Sequence, residues 1–162
     1  MKIYRLYIII STLILSGCAT FTTKKCPESP NEMIAGGNYS GCNLTDFNLS
    51  NLDLANSDFS NAILDKANLL GARIAYSNFT NASIRHANLM RVNAQGADFS
   101  NANISRSTLA DGDFRNSNFS NASLYKTRGD GVKFYGAKFN HSYWVNGRLC
   151  DYKSISTCHY VD

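Results

Sequence analysis

Large apolar residues recur at every fifth position along most of this chain. Counting from Tyr39, the series runs Leu44, Leu49, Leu54, Phe59, Leu64, Leu69, Ile74, Phe79, Ile84, Leu89, then Phe99, Ile104, Leu109, Phe114, Phe119, Leu124, and on to Phe134 and Phe139. Only Ala94 and Gly129 interrupt it, and no insertion shifts the frame. Two places before most of the large residues stands a small one, as at Ala62, Ala67, Ala72, Ser77, Ala82 and Ala87. The three remaining positions are mostly Asn, Asp, Ser, Thr, Lys or Arg. A helix would smear such a pattern around its circumference, and a flat strand would reverse faces at every repeat. Each group of five must therefore contain a bend, with two side chains directed inward and three outward.

A longer period predicts the shape. Phe59, Phe79, Phe99, Phe119 and Phe139 recur every twenty residues, with Tyr39 one step earlier, and the first four open the related runs FSNA, FTNA, FSNA and FSNA. A residue type that returns at every fourth group implies four groups per coil, so that like side chains stack. The expected object is a four-sided column of five to six coils, spaced by about 4.8 Å. Asn61, Asn81, Asn101 and Asn121 fall at its corners, where asparagine tolerates a left-handed backbone. Phe99→Ala is expected to cost about 3 to 5 kcal/mol, and the outward Asn103→Ala close to nothing. Core volume is conserved at the exceptions: Ala94 is compensated by the larger Val92, and Phe114 by Gly112.

The runs Ala67-Asn68-Leu69, Ala87-Asn88-Leu89 and Ala97-Asp98-Phe99 follow the consensus of the pentapeptide repeat proteins, which this chain resembles over most of its length. The resemblance implies an all-β fold, a right-handed quadrilateral β-helix with four pentapeptides per coil. It implies no particular activity, because the family has no common one.

The N-terminal segment is of another kind. Lys2 and Arg5 precede the apolar run from Leu6 to Leu15, which is shorter than the roughly 20 residues of a membrane span and reads as a signal peptide. It ends in Leu15-Ser16-Gly17-Cys18, which resembles the lipobox of bacterial lipoproteins. That resemblance implies acylation of Cys18, palmitate included, and anchorage in a membrane. Ala19 after the cysteine favours, by lipoprotein sorting rules, a periplasm-facing outer-membrane location in a Gram-negative cell. The expected organisation is a signal peptide at 1–17, a lipidated cysteine and linker at 18–36, the solenoid at 37–149 and a disulfide-closed cap at 150–162.

A stacked column must cover its terminal coils. Phe47 and Leu52 stand where small residues stand elsewhere, which suggests a hydrophobic plug at the first coil. At the far end Trp144 and Leu149 keep the large-residue count, and Tyr143, Trp144, Tyr152 and Tyr160 are the expected lid. Apart from Cys18 the chain has Cys26, Cys42, Cys150 and Cys158. In an exported chain these favour disulfides, and proximity selects Cys26 with Cys42 and Cys150 with Cys158 among three pairings. A zinc site at Cys150, Cys158 and His159 is disfavoured because its spacing lacks the close pairs of structural zinc sites.

Sixteen basic residues face twelve acidic ones; without Lys2 and Arg5 the balance is fourteen to twelve, or +2. Such near-neutrality gives no reason to expect nucleic acid as a partner. The charge is uneven, however. Residues 44–63 carry Asp46, Asp53 and Asp58 and no base, whereas 124–143 carry Lys126, Arg128, Lys133 and Lys138 against Asp130 alone. These four cations fall on successive sides of the last full coil and form a candidate binding collar. His86, His141 and His159 are scattered, and no Ser, His and Asp grouping is visible, so neither catalysis nor a cofactor is expected. The leading expectation is a non-enzymatic, membrane-anchored scaffold or interaction rod of the cell envelope with a protein partner there. The alternative comes from the family resemblance: a DNA mimic that binds DNA gyrase, as in quinolone resistance. Neither the lipobox nor a surface near +2 favours it.

Overall fold

The structure is a computed structural model and describes residues 25–151 and 153–159. The signal segment and Cys18 lie outside the described residues. Parallel β-bridges join residues twenty apart, from Asn38 with Asp58 through to Ser123 with Tyr143. The chain thus winds in coils of four short edges joined by turns. One wall carries Asn38, Asp58, Asn78, Asp98, Asn118 and Lys138, and the next carries Asn43, Ile63, Ser83, Asn103, Ser123 and Tyr143. The third bears Asn48, Asn68, Asn88, Thr108 and Arg128, and the fourth Asp53, Arg73, Asn93, Asp113 and Lys133.

One repeat shows why the five-residue unit is closed. Phe59 donates its N–H to Asn78 O in the next coil (2.7 Å), and Asp58 donates to Gly37 O in the previous one (2.9 Å). Asn61 N–H reaches Thr80 O at 2.9 Å, and Ala62 N–H closes the turn on Phe59 O at 3.0 Å. The fifth amide, on Ser60, is taken by the side chain of Asp58, whose Oδ1 accepts at 2.9 Å. Every backbone donor of the repeat is therefore satisfied. The second central residue of the turn is left-handed throughout, as at Asn61 (φ 58°), Asn81 (φ 61°), Asn101 (φ 59°) and Asn121 (φ 60°). Gly71 and Gly96 take it without a side-chain penalty, and no Val, Ile or Thr takes it among the described residues.

Inside, Phe59, Phe79, Phe99, Phe119 and Phe139 are fully buried. Their rings stack at centroid distances of 4.7, 4.9, 5.0 and 5.3 Å with planes within 12° of parallel, close to the spacing of neighbouring strands. Serines at the small inward positions keep their hydroxyls bonded: Ser77 Oγ donates to Leu54 O (2.9 Å) and accepts from Ser57 N–H (3.1 Å). The volume exchanges are real contacts. A Cβ on Gly112 would stand 2.6 Å from the Phe114 ring, and Val92 and Ala94 are both buried. At Gly129 the space is taken by Val132, whose methyl lies 2.7 Å from where a Cβ would be.

The two ends close differently. At the first coil Cys26 is bonded to the fully buried Cys42, and Met33 is buried behind the short 3-10 turn Pro30–Glu32. The Tyr39 hydroxyl accepts from Ile34 N–H at 2.6 Å and donates to Ile34 O at 3.1 Å. Phe47 and Leu52 pack, half-buried, against the core. At the last coil the parallel winding stops after Trp144. Gly147 (φ 82°) donates to Trp144 O and turns the chain, which returns antiparallel through bridges of Tyr143 with Leu149 and of Lys138 with Ile155. Reversal changes which side chain faces in. Leu149, inward by the five-residue count, is 37% exposed, while Cys150 is fully buried and bonded to Cys158. The lid also differs from expectation, since Tyr143 is 52% exposed. Trp144 stands edge-on to Phe139 at 4.8 Å and tilts against Phe134 at 5.9 Å, so Phe134 takes the place given to Tyr143. Tyr152 and Tyr160 lie outside the described residues.

Candidate functional site

The walls are rows of like side chains, one per coil. Asn88 Nδ2 donates to Asn68 Oδ1, and Asn68 to Asn48, each at 3.1 Å. Each of these residues also holds its own corner: Asn68 Oδ1 accepts the N–H of Leu70 at 3.2 Å and Asn88 Oδ1 that of Met90 at 3.1 Å. An Asn or Asp just before the large residue thus caps the turn two residues on. The sequence reading assigned corner duty only to Asn61, Asn81, Asn101 and Asn121 and missed this second set. The recurrence of Asn or Asp at that position was the available signal.

Three arginines in the middle of the column are paired with carboxylates, whereas Lys66, Arg91 and Arg106 there take part in no salt bridge between described residues. Asp53 meets Arg73 one coil later at 2.9 Å. Asp65 accepts from Arg85 Nη2 (2.5 Å) and from Ser83 Oγ (2.7 Å). Partial burial pushes its carboxyl up, and the bonds from Arg85 and Ser83 outweigh that and hold it below the ordinary carboxylate range. Asp113 is also held low, chiefly by hydrogen bonds from Arg115, with Gln95 as a second partner.

The last coil gathers four cations of the second kind. Arg128, Lys133 and Lys138 occupy bridge positions on three successive walls, and Lys126 the corner before them (φ 58°). Their backbones are tied down: Lys126 N–H to Val145 O, Arg128 to Ser107, Lys133 to Gly112 and Lys138 to Ser117, at 2.9 to 3.0 Å. All four side chains are exposed, and none takes part in a salt bridge between described residues. The structure therefore brings the candidate collar to one level around the column. The Lys126 ammonium lies 5.1 Å from the centre of the Tyr125 ring, a cation–π contact. Tyrosine and aliphatic side chains share this level, a feature hidden in the sequence because outward positions read as polar.

The histidines do not form a site. His86 and His141 stand at corners of different walls, and no group of three His, Cys, Asp or Glu among the described residues could hold a metal. Joining Cys150 to Cys158 removes the two thiolates that a zinc site with His159 would need. Among the described residues no helix is long and apolar enough to cross a membrane.

The repeat geometry agrees with a family model. The model for pentapeptide repeats matches residues 42–75, 74–111 and 109–143, in eight copies. The chain belongs to the pentapeptide repeat family. Members of this family form right-handed quadrilateral β-helices and are in general structural or interaction proteins rather than enzymes. Among solved structures, a pentapeptide repeat protein of the Arabidopsis thaliana thylakoid lumen is 26% identical (TM-score 0.32), over 72% of this chain and 73% of its own. A trypsin-treated form of QnrB1, a plasmid-mediated fluoroquinolone resistance protein, is 19% identical (TM-score 0.37), over 80% and 70% of the two chains. The pentapeptide repeat protein Rfr23 of the cyanobacterium Cyanothece is 20% identical (TM-score 0.29), over 66% and 90%. No curated protein matches this chain.

Proposed function

We propose that this pentapeptide repeat protein is a non-enzymatic lipoprotein of the cell envelope, held to a membrane through acylated Cys18 and working as a scaffold or protein-interaction rod. The observation that carries this reading is the column itself. Its interior is given over to stacked large and small side chains, and its outer surface is a set of regular rows fixed by hydrogen bonds within and between coils. Such a surface offers a partner many identically spaced contacts on a frame that binding need not reorganise. The short apolar segment before Cys18, the even number of remaining cysteines and their two disulfides support an exported setting. The right-handed sense, the divisions at 17, 36 and 149, and outer-membrane placement in a Gram-negative cell belong to the same reading.

Cross-linking in intact cells followed by mass spectrometry tests the partner. A single reproducible envelope protein is the expected result, and a random set of neighbours would count against recognition. Labelled palmitate incorporation that persists in Cys18→Ala would remove the anchor. The DNA-mimic reading has its own assay, since the rod should leave gyrase supercoiling unchanged.

A further inference from the structure

The last coil concentrates two chemistries that the rest of the rod keeps apart. Nine large hydrophobic side chains are exposed among the described residues, and six of them, Tyr125, Tyr135, Tyr143, Val145, Leu149 and Ile155, belong to the final coil and the returning strand. Their exposure is not marginal: Tyr135 is 78% exposed, Ile155 54% and Tyr143 52%. Tyr143 and Leu149 are cross-strand neighbours, Lys138 and Ile155 are another such pair, and Tyr125 lies below the ammonium of Lys126. Residues 124–159 carry six cations against two acids, net +4, whereas 25–123 carry seven against nine, net −2. The asymmetry is therefore a property of one end, and basic and apolar side chains alternate around it.

We infer that this end of the rod docks on a bilayer surface rich in anionic lipid headgroups. Scattered exposed apolar residues need no explanation, but a cluster rimmed by charge marks a contact surface. Tyrosine among lysine and arginine is the composition of membrane interfaces, where rings sit at headgroup level and cations meet lipid phosphates. Geometry favours a lipid surface over a protein partner. The cations stand on three walls and a corner, so no single face collects them; a planar, fluid surface meeting the column near its end can engage the ring, while a protein partner engages one wall. This inference rests on the envelope location proposed above. The stretch from Cys18 to Cys26, which is tied to the first coil through Cys42, reaches about 28 Å when extended, and the coils from Tyr39 to Phe139 rise about 24 Å, so an anchored chain can bring its far end down to the same leaflet.

Trp144, the chain's only tryptophan, sits in the cap beside the collar and reports docking directly. The full chain is mixed with vesicles of phosphatidylcholine, or of phosphatidylcholine and phosphatidylglycerol, doped with a dansyl-headgroup lipid, and energy transfer from Trp144 is recorded with co-flotation. Transfer should rise when phosphatidylglycerol is present and fall at high salt. Changing Lys126, Arg128, Lys133 and Lys138 to Gln should weaken the phosphatidylglycerol-dependent component roughly 100-fold at low salt. Unfolding midpoints of this variant should match those of the parent, and Tyr135→Ser with Tyr143→Ser should lower transfer in a protein with its charge intact. Transfer that ignores phosphatidylglycerol, or survives the four substitutions, overturns the inference. Salt-sensitive binding to polyglutamate without a vesicle response also overturns it, in favour of an acidic protein. A chain that fails to float with neutral vesicles yet shows phosphatidylglycerol-dependent transfer upholds the docking end and sinks the anchor.

Discussion

The two ends of the column solve one problem in opposite ways. At the first coil the interior is plugged: Met33 and Cys42 are buried, Tyr39 is pinned through its hydroxyl to Ile34, and Phe47 and Leu52 fill positions that are small elsewhere. At the last coil the chain doubles back, lays an antiparallel strand on the open edge, and closes the core with Phe134 and Trp144. A plug spends most of its apolar side chains inside, with Ile34 (67% exposed) left out. The reversal satisfies the edge with backbone and leaves Tyr143, Leu149 and Ile155 facing out. The difference teaches that capping a solenoid can itself create a contact surface, at the end where the strand returns.

The sharpest way to break this contrast is to remove a ring from the C-terminal lid. Phe139 is fully buried and touches Phe119, Phe134 and Trp144. Phe139→Ala should cost about 3 to 5 kcal/mol in chemical denaturation. Contacts in a solenoid run only between neighbouring coils, so the accompanying rise in hydrogen exchange should be confined to the last two coils, and protection lost equally at both ends would contradict the separation of the caps.

Opening the disulfides comes next. Converting Cys26 and Cys42 to Ser should lower stability by about 3 kcal/mol, and converting Cys150 and Cys158 by about 2.5 kcal/mol, from the loops they close. The first change should loosen residues 26–42 and the second 145–159. Swapped locations in a proteolysis experiment would show that the caps are not local.

At the plugged end the tightest fit is Gly37, where a Cβ would run into the ring of Tyr39. Gly37→Ala should displace that ring from Ile34 and cost about 1 to 3 kcal/mol by urea titration. Gly147 gives the contrasting case. A Cβ there would meet only Tyr125, at 3.2 Å, but the residue is left-handed (φ 82°), so its constraint is backbone rather than space.

Much of this could be read in advance, and the exceptions have physical causes. The ladder from Phe59 to Phe139 was legible because two inward positions in five admit little besides large and small apolar residues, and the corner asparagines because few residues accept a left-handed backbone. The reversal was not legible: Trp144 and Leu149 keep the five-residue count, and the count cannot register a change of strand direction. Nor was the role of Asn103, which outward exposure made look inert. Its Oδ1 accepts from both the N–H and the hydroxyl of Ser105, at 3.1 and 2.6 Å. Asn103→Ala should therefore cost about 1 kcal/mol, and Asn103→Asp, which keeps the acceptor, clearly less. An Ala variant as stable as the parent would return Asn103 to the inert class.

Electrostatics should show the smallest effect and sharpen the contrast between the ends. Asp113 is held below the usual carboxylate range by its bonds from Arg115, so its folded-state pKa lies under the unfolded value near 3.9. A depressed pKa contributes stability that is present above the unfolded value and is lost as pH falls through the folded one. The pair is partly exposed, with Arg115 at 45%, and screening limits it to a few tenths of a kcal/mol. Arg115→Gln should therefore lower the urea midpoint slightly at neutral pH, and that difference should shrink as pH falls through the folded-state pKa of Asp113. Lys126→Gln, by contrast, removes a cation that has no salt bridge among the described residues and only the Tyr125 ring as a contact, so any stability it costs should show no such loss in acid. A pH-dependent stability loss from Lys126→Gln matching that of Arg115→Gln would mean that the collar is internally neutralised, and its cations would then no longer be available to an anionic surface.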